Sequence, residues 1–274
     1  VAILTRERVV DADAIDACPN LKVIVRYGVG VDNVDLDHAR SREIFVANVP
    51  DYGAEIEVSE HALALYLAVQ RRIPSRDAEV RRGEWGYGQS AMIPNRENGV
   101  LGLIGCGKIG LEAAKKFRAL GFTRVIAFDP YLTQGVADQA GVEKLELDQL
   151  FREADVVSLH APLTPETRHI LNAERLALMK PTSIVVNVSR GGLVDEFALA
   201  EALKNGRLFG AGIDVFEQEP VAQDNPLLAA PNTLVSDHAA WYSERSIVML
   251  QRCAAGEVAR VLSGQAPEHW VNKW

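Results

Sequence analysis

The segment GLIGCGKIG, residues 102–110, constrains the fold of this chain more than any other stretch. Its glycines Gly105, Gly107 and Gly110 follow the spacing GxGxxG, and the apolar run VLGLIG before them is typical of a buried parallel strand. The run LEAAKKFRALG after them has helical periodicity and ends at a glycine. Asp129 ends the next strand-like run, about 20 residues after the last glycine. This order of strand, glycine turn, helix, strand and acid predicts a βαβ unit.

The same unit predicts a dinucleotide site. The glycines permit a tight turn and close approach of a pyrophosphate, and the helix N-terminus supplies a positive dipole. A carboxylate at Asp129 accepts hydrogen bonds from ribose hydroxyls and repels a 2′-phosphate, which favours NAD over NADP. Pro130 and Tyr131 follow, so no arginine stands there for the extra phosphate. Residues 102–108 also fit the start of a P-loop, GxxxxGK, but Ile109 replaces the Ser or Thr that holds magnesium, so we reject a nucleotide triphosphatase.

The middle of the chain alternates strand-like and helix-like runs at the spacing of βαβ units, which predicts a doubly wound sheet. The flanks differ: an apolar helix is predicted over Val58–Gln70 and a long helix over Ser243–Ser263. We therefore predict two domains. Residues 51–242 form the nucleotide-binding domain, and residues 1–50 and 243–274 form a smaller one. The chain starts at Val1 in a strand-like run, and we expect an N-terminal part of the smaller domain to be missing.

Charge and cysteine content narrow the function classes. The 274 residues include 29 Lys and Arg against 37 Asp and Glu, and the formal charge of -8 disfavours nucleic acid and anionic membranes as partners. Cys18, Cys106 and Cys253 contain no CxxC pair, so neither a disulfide framework nor a metal site is predicted. The longest apolar stretch, residues 62–69, is far shorter than a membrane span. These features predict a cytoplasmic protein.

Three consecutive strand-like runs in the second half are each followed by a polar residue of catalytic type. VVNVSRGG supplies Arg190, GIDVFEQEP supplies Glu219, and LVSDH supplies His238. The carboxyl ends of parallel strands meet at one edge, so we expect these side chains to lie together. Arginine can grip a carboxylate, histidine can exchange a proton near neutral pH, and glutamate favours the protonated imidazole. Each residue alone is more often a solvated charge; the combination indicates a hydroxy-acid dehydrogenase.

A glycine loop in the smaller domain is a candidate for the opposite wall of the site. VRYGVGVDN places Gly28 and Gly30 after a strand, where backbone N–H groups can bind a carboxylate. A purely structural turn explains these glycines equally well.

The segments VRYGVGVDNVD, GLIGCGKIG, AFDPY, LHAPLTPETRHI, NVSRGGLVDE, GIDVFEQEP and HAAWYSE together resemble the D-isomer-specific 2-hydroxyacid dehydrogenases. The last segment, with VNK near the C-terminus, is similar to the branch of the C-terminal-binding-protein corepressors and their bacterial relatives. The resemblance implies an α/β fold: a Rossmann-type doubly wound parallel sheet domain and a smaller, discontinuous, flavodoxin-like α/β substrate domain, here N-terminally incomplete.

The resemblance also implies roles for individual residues. His238 is implied as the acid/base, Glu219 as its partner and Arg190 as the anchor of the substrate carboxylate. The implied NAD-binding residues are Gly105, Gly107, Lys108, Ile109 and Gly110 at the pyrophosphate, Asp129 and Pro130 at the adenine ribose, His160, Pro162 and Thr167 on the adenosine side, and Val188, Ser189 and Asp214 along the nicotinamide. The implied substrate-binding residues are Arg26, Val29, Gly30 and Trp241.

The implied activity is NAD-dependent interconversion of a D-2-hydroxy acid and its 2-keto acid. The activity resembles either that of a glyoxylate or hydroxypyruvate reductase or that of a phosphoglycerate dehydrogenase. Glyoxylate, hydroxypyruvate and branched keto acids remain open as substrates, and a phosphorylated substrate is less expected unless the absent segment supplies further arginines. Ser189 and Asp237 depart from the family's usual alanine and proline. The alternative is an NAD-dependent dimeric binding module with little turnover, like the corepressors. We also expect a homodimer, because the helix Val58–Gln70 is apolar on nearly all faces and the resemblance assigns it to a two-fold interface.

Overall fold

The structure is a computed structural model that describes residues 1–86 and 92–274. The strands are β1 Ala2–Thr5, β2 Val23–Arg26, β3 Phe45–Ala47, β4 Val100–Ile104, β5 Arg124–Phe128, β6 Glu143–Lys144, β7 Val156–Leu159, β8 Ile184–Asn187, β9 Gly210–Ile213 and β10 Thr233–Val235. The helices are α1 Ala12–Asp16, α2 Leu36–Ser41, α3 Ala54–Gln70, α4 Ile73–Arg81, α5 Lys108–Ala119, α6 Gln134–Ala140, α7 Leu147–Glu153, α8 Ala173–Leu176, α9 Glu196–Lys204 and α10 Glu244–Leu262.

The chain divides into two compact units. One contains Val1–Ala54 and Tyr242–Trp274, and the other contains Glu55–Trp241. The predicted domain boundaries, after residues 50 and 242, lie within four residues of these limits. In the part of the chain that the structure describes, no helix has the length and apolar character needed to span a membrane.

The discontinuous unit is an α/β unit with a three-stranded parallel sheet in the order β1-β2-β3. Its core contains Ile15, Ile24, Ala39 and Val46, which are fully buried. Helix α10 packs against β2 and begins with a reciprocal capping box between Ser243 and Ser246. The flavodoxin-like order requires more strands than these three, so that label stays a prediction.

The C-terminal segment of the chain extends the discontinuous unit beside β3. The N–H of Val271 donates to the carbonyl of Val46 at 2.8 Å. The buried amide of Asn272 accepts from Val46 N–H at 2.8 Å and donates to the Ile44 carbonyl at 2.9 Å. This side chain therefore continues the hydrogen bonding of the sheet edge, which explains the VNK segment as a structural feature.

The larger unit is built on a seven-stranded, all-parallel sheet in the order β10-β9-β8-β7-β4-β5-β6. This is the Rossmann order with a seventh strand, so the predicted doubly wound sheet is confirmed. The strand order reverses between β4 and β7, and ligands of such sheets bind beyond the carboxyl ends of the strands at this point. Gly105, Asp129, His160, Arg190 and His238 all follow the carboxyl ends of strands in this sheet.

Helix α3 packs directly on β9 because two glycines remove the side chains between them. A Cβ on Gly210 would lie 2.5 Å from Val69 Cγ1, and a Cβ on Gly212 would lie 2.7 Å from Leu65 Cβ. The helix begins at Ala54, four residues before the predicted start at Val58. The extra turn contains Glu55 and Glu57, whose charges suit a helix N-terminus even though they interrupt the apolar pattern.

Candidate active site

The glycine loop between β4 and α5 uses each of its three glycines for a different reason. Gly105 has φ +85°, and a Cβ there would lie 2.7 Å from the backbone nitrogen of Ala161. A Cβ on Gly110 would lie 2.6 Å from the Gly105 carbonyl oxygen, so this glycine lets the helix pack against the strand. Apart from its neighbours in the chain, no described protein atom lies within 4 Å of a Cβ on Gly107. The turn and the packing therefore explain two glycines, and the open space at the third suits a ligand.

The atoms around this loop fit a dinucleotide. Gly107 caps α5 without a side-chain hydrogen bond, so the helix start at Lys108 is open to an anion. Burial raises the pKa of the Cys106 thiol to about 11, and the charge of Asp129 adds to the effect. The thiol is therefore neutral near pH 7 and does not repel a pyrophosphate. The Asp129 carboxylate accepts from Cys106 N–H and Tyr131 N–H, both at 2.8 Å, which holds it at the mouth of the loop.

His160 follows β7 and lies beside the glycine loop. Its Nε2 is 2.8 Å from the Ser158 hydroxyl, and its buried Nδ1 has no hydrogen-bond partner among the described residues. Burial lowers the pKa of His160 to about 4, so the ring is neutral near pH 7. A buried ring nitrogen in this state can hydrogen-bond to a polar ligand without adding charge, which agrees with the predicted adenosine side.

The loop after His160 is shaped by its own hydroxyl groups. Thr167 Oγ1 donates to the Pro162 carbonyl at 2.7 Å and accepts from Thr164 N–H at 2.8 Å. Pro162 and Pro130 are exposed at the same edge of the sheet. Thr167 thus holds the loop conformation, and its predicted contact with the cofactor stays a prediction.

Arg190 lies on the loop after β8, and the buried Asn187 organises this loop. Asn187 donates through its amide to the Arg190 carbonyl at 2.9 Å and accepts from Ser189 N–H at 3.2 Å. A Cβ on Gly191 would lie 1.8 Å from the carbonyl carbon of Phe216, so the two loops touch through their backbones. Val188 is buried and Ser189 is half-buried. The glycine contact brings the arginine loop against the loop that carries Glu219.

Glu219 and His238 form a direct pair. His238 Nδ1 lies 2.7 Å from Glu219 Oε2, and Glu219 Oε1 accepts from Phe216 N–H at 3.0 Å. Burial by itself raises the pKa of the Glu219 carboxyl, but the hydrogen bonds from His238 and Phe216, aided by the charges of His238 and Arg190, lower it below its ordinary value. Glu219 is therefore an anion that holds the imidazole through Nδ1–H, which leaves Nε2 to exchange a proton.

The turn that carries His238 is held by the fully buried carboxylate of Asp214. Asp214 Oδ1 accepts from the Ser236 hydroxyl at 2.6 Å and from Ala239 N–H at 2.9 Å, and Oδ2 accepts from Ala240 N–H at 3.0 Å. His238 adopts the left-handed region with φ +57°, a strained backbone for a residue with a side chain. Asp214 thus contacts three neighbours of His238, which identifies a structural role beside its predicted place along the nicotinamide.

The sequence patterns missed several residues that support the site. Beneath the Glu219 loop, the buried Glu196 accepts from Glu217 N–H at 2.7 Å, and Arg168 and His169 both contact the Glu217 carboxylate. Asn187 is the first residue of the segment NVSRGGLVDE, but only its contacts reveal that it holds the Arg190 loop. In the sequence, the basic residues Arg168 and His169 of TPETRHI are the only hint of these contacts with Glu217.

The predicted substrate residues of the discontinuous unit lie on a loop with a defined backbone. Gly28 has φ +127°, and its carbonyl accepts from Val49 N–H at 2.9 Å. Asn48 donates to the Val29 carbonyl at 2.7 Å, and the Val29 side chain is 45% exposed. Arg26 donates through Nε to the Arg6 carbonyl at 3.1 Å. Roles in substrate binding for Arg26, Val29, Gly30 and Trp241, the half-buried last residue of the larger unit, stay predictions.

Residues 63–240 match the family model described as D-isomer specific 2-hydroxyacid dehydrogenase, NAD binding domain. The chain is 42% identical over 264 residues to D-3-phosphoglycerate dehydrogenase of Methanocaldococcus jannaschii, covering 96% of this chain and 50% of the relative. It is 38% identical over 267 residues to glyoxylate reductase of Korarchaeum cryptofilum, covering 96% of this chain and 80% of the relative. The chain thus spans about half the length of the phosphoglycerate dehydrogenases that it matches.

A solved structure with the same fold is that of D-lactate dehydrogenase from Aquifex aeolicus complexed with NAD and lactic acid. Its TM-score to this chain is 0.90 at 30% identity, with 100% of this chain and 87% of the other covered. Together these similarities confirm the resemblance to the D-isomer-specific 2-hydroxyacid dehydrogenases, including an NAD-binding domain in the larger unit, whereas similarity to the corepressor branch stays a prediction.

Proposed function

Because the chain belongs to the D-isomer-specific 2-hydroxyacid dehydrogenase family, we propose that it interconverts a D-2-hydroxy acid and its 2-keto acid with NAD as cofactor. The observation that carries the proposal is the His238–Glu219 pair at 2.7 Å, beside Arg190, at the carboxyl edge of a dinucleotide-binding sheet. The relatives reported above carry enzyme names, which favours turnover over the alternative of a binding module.

The residues divide the reaction between them. Arg190 binds the carboxylate of the keto acid through its planar guanidinium and orients the C2 carbonyl. His238, protonated and held by Glu219, donates the proton on Nε2 to the carbonyl oxygen as C2 becomes a hydroxyl-bearing carbon. Bound NADH supplies the hydride that C2 accepts. In the oxidation direction neutral His238 takes the hydroxyl proton, and the anion of Glu219 stabilises the imidazolium that forms.

The cofactor is held by residues at the switch point of the sheet. We assign the pyrophosphate to the glycine loop with Lys108 and Ile109, and the adenine ribose to Asp129 and Pro130. His160, Pro162 and Thr167 form the adenosine side, and Val188, Ser189 and Asp214 lie along the nicotinamide side. The open space at Gly107 and the buried Nδ1 of His160, which has no hydrogen-bond partner in the described part of the chain, support this assignment. Occupancy is measurable without turnover, as quenching of tryptophan fluorescence on addition of NADH.

The substrate class is tested with a panel of 2-keto acids and NADH. We expect reduction of small or moderately apolar keto acids, such as glyoxylate, hydroxypyruvate or a branched relative, and slower reduction of a phosphorylated one. Turnover is measured as loss of NADH absorbance, and chiral analysis of the product identifies the D-isomer. Binding of NADH without reduction of any keto acid would instead favour the binding module.

We further propose a homodimer in the cytoplasm. Helix α3 exposes Ile56 and Leu67, at 38% and 37%, on one face three turns apart, although the same helix buries Leu65 and Val69. An apolar stripe on the outer face of a core helix suits a two-fold interface. Light scattering tests the proposal, since a mass near 30.0 kDa at every concentration is that of a single chain and contradicts it.

A further inference from the structure

The register between helix α3 and strand β9 continues past the two glycine contacts and ends at the active-site edge. One turn before Leu65, the ring of His61 reaches the end of the strand: its Nε2 lies 2.9 Å from Ser236 Oγ and 3.4 Å from Asp214 Oδ1. Four residues of helix advance ~6 Å and two residues of strand advance ~6.6 Å. The contacts therefore repeat every four residues of α3 and every two residues of β9, and the next contact after Leu65 with Gly212 is His61 with Asp214. The packing of α3 therefore aims His61 at the carboxylate that holds the catalytic turn.

Asp214 connects this histidine to the other one. Its Oδ1 accepts from the Ser236 hydroxyl, which is the hydrogen-bond partner of His61 Nε2, and lies 3.4 Å from that nitrogen; on the other side the carboxylate accepts from the N–H groups of Ala239 and Ala240. Its carbonyl accepts from His238 N–H at 2.7 Å. A chain of hydrogen bonds thus runs from α3 to the strained backbone of His238, a residue 177 positions further along the sequence than His61.

We infer that His61 is a positioning residue for the proposed acid/base His238, acting through Ser236 and Asp214 on the turn that carries it. This inference rests on the proposed function, because the turn matters for turnover only if His238 exchanges the proton. A buried carboxylate that holds two backbone amides needs further donors to stay ionised. His61 and Ser236 supply them.

The groups that face Asp214 determine the direction of the effect. Helix α3 contributes His61, the segment after β10 contributes Ser236 and two backbone amides, and β8 contributes the uncharged carbonyl of Asn187, which accepts from Asp214 N–H at 2.9 Å. The His238 ring is engaged by Glu219. Burial by itself raises the pKa of Asp214, and the donors, His61 first among them, bring it below its ordinary value. Loss of His61 therefore makes Asp214 take up a proton at higher pH.

A protonated Asp214 is a weaker acceptor, so it releases the amides of Ala239 and Ala240 and lets the His238 turn relax. We therefore expect the His61→Phe variant, which keeps a ring but loses the donor, to exchange these two amide protons about tenfold faster below neutral pH. The measurement is hydrogen exchange by NMR on the full chain without ligand. His61→Gln keeps a side-chain N–H donor and should restore slow exchange.

The same variants are compared in keto-acid reduction across pH. His61→Phe should lower kcat about tenfold on the acid side and much less above neutral pH. His38→Phe is the matched control: His38 on α2 makes a similar bond, 2.9 Å to Asp16, in the other unit, and its loss should change neither readout. Ser236→Ala removes the middle hydroxyl and should accelerate exchange like His61→Phe, which keeps the test available if the phenylalanine variant does not fold.

Unchanged exchange at Ala239 and Ala240 in both His61→Phe and Ser236→Ala would overturn the inference, whether or not the chain is active. A fall in kcat that is equal at all pH values and equal for His61→Gln would also overturn it, because a donor role predicts rescue and an acid-side effect. Absence of turnover in the unmodified chain overturns the proposed function instead, and the exchange comparison still decides the positioning role.

Discussion

The two edges of the seven-stranded sheet bury charge in different ways. At the amino edge, Asp155 accepts from Val100 N–H at 2.8 Å and pairs with Lys180 at 3.0 Å and Arg96 at 3.6 Å. The Arg96 side chain is only 8% exposed. At the carboxyl edge, the buried Asp214 is surrounded by a hydroxyl, two amides and one histidine. One edge neutralises its anion with cations, and the other supports it with donors that carry no fixed charge.

The same contrast appears along the single strand β5. At its amino end Arg124 pairs with Glu143 at 2.7 Å and also contacts Glu153. At its carboxyl end Asp129 accepts from backbone amides, and each of its oxygens retains a lone pair for a ligand. Charges paired within the protein contribute to stability, whereas charges held by backbone amides remain available for chemistry. Substitutions at the two edges should therefore separate stability from turnover.

The largest effect is expected at the carboxyl edge from His238→Ala. The variant loses the group that donates the proton, so kcat for keto-acid reduction should fall ~10²- to 10⁴-fold. Binding of NADH, followed by fluorescence quenching, should remain close to that of the unmodified chain because the glycine loop is untouched. Turnover within about threefold of the unmodified chain would exclude histidine as the proton donor.

The matching change at the amino edge is Asp155→Ala. It leaves the buried Arg96 and the partly exposed Lys180 without the half-buried anion that they share, which should cost about 1 to 3 kcal/mol in the free energy of unfolding. Urea-induced unfolding measures this loss, and kcat of the folded protein should stay within about twofold. The control is Asp77→Ala, which breaks an exposed pair with Arg81 and should cost less than about 1 kcal/mol. A large fall in kcat for Asp155→Ala would contradict the idea that charges at the amino edge contribute to stability and not to turnover.

At the carboxyl end of β5, Asp129 should set the choice of cofactor. A 2′-phosphate placed against this carboxylate costs more than ~1.4 kcal/mol, so NADH should be preferred over NADPH by well over tenfold in kcat/KM. Asp129→Ser should remove most of this preference. Glu143→Gln, on the neighbouring strand β6, where Glu143 pairs with Arg124 at the amino end of β5, should leave it unchanged. Equal kcat/KM with the two cofactors in the unmodified chain would contradict the assignment.

The carboxyl edge was more predictable from the sequence than the contacts behind it. Arg190, Glu219 and His238 could be predicted because each follows an apolar strand, and parallel strands end at one edge. His61 could not, since its partner Ser236 is 175 residues away and its helix reads as an ordinary apolar one. Helices α4 and α6 were missed because IPSRDAEVR and QGVADQA lack an apolar stripe. The positions of the strands along the sequence follow from local patterns, whereas side-chain partners depend on how elements pack.

The smallest shift is expected from Glu219→Gln, and it tests how the carboxyl edge tunes its histidine. The pKa of Glu219 lies below its ordinary value, so its carboxylate is already charged at mildly acidic pH and stays charged as pH rises. Reduction should therefore fall at higher pH only as the imidazole loses its proton. Glutamine keeps the size but removes the charge that stabilises the imidazolium, so this fall should move to lower pH.

Arg190→Lys provides the contrast within the same pH–rate profiles. Lysine keeps the charge but loses the planar two-pronged grip on the carboxylate, so KM for the keto acid should rise and kcat fall, with the pH of the fall unchanged. If Glu219→Gln leaves the fall where it was, Glu219 only orients the ring. If Arg190→Lys moves the fall as much as Glu219→Gln does, the guanidinium tunes the proton as well as the carboxylate. Either result would contradict the proposal that Glu219 stabilises the protonated imidazole of His238 while Arg190 only positions the C2 carbonyl of the substrate.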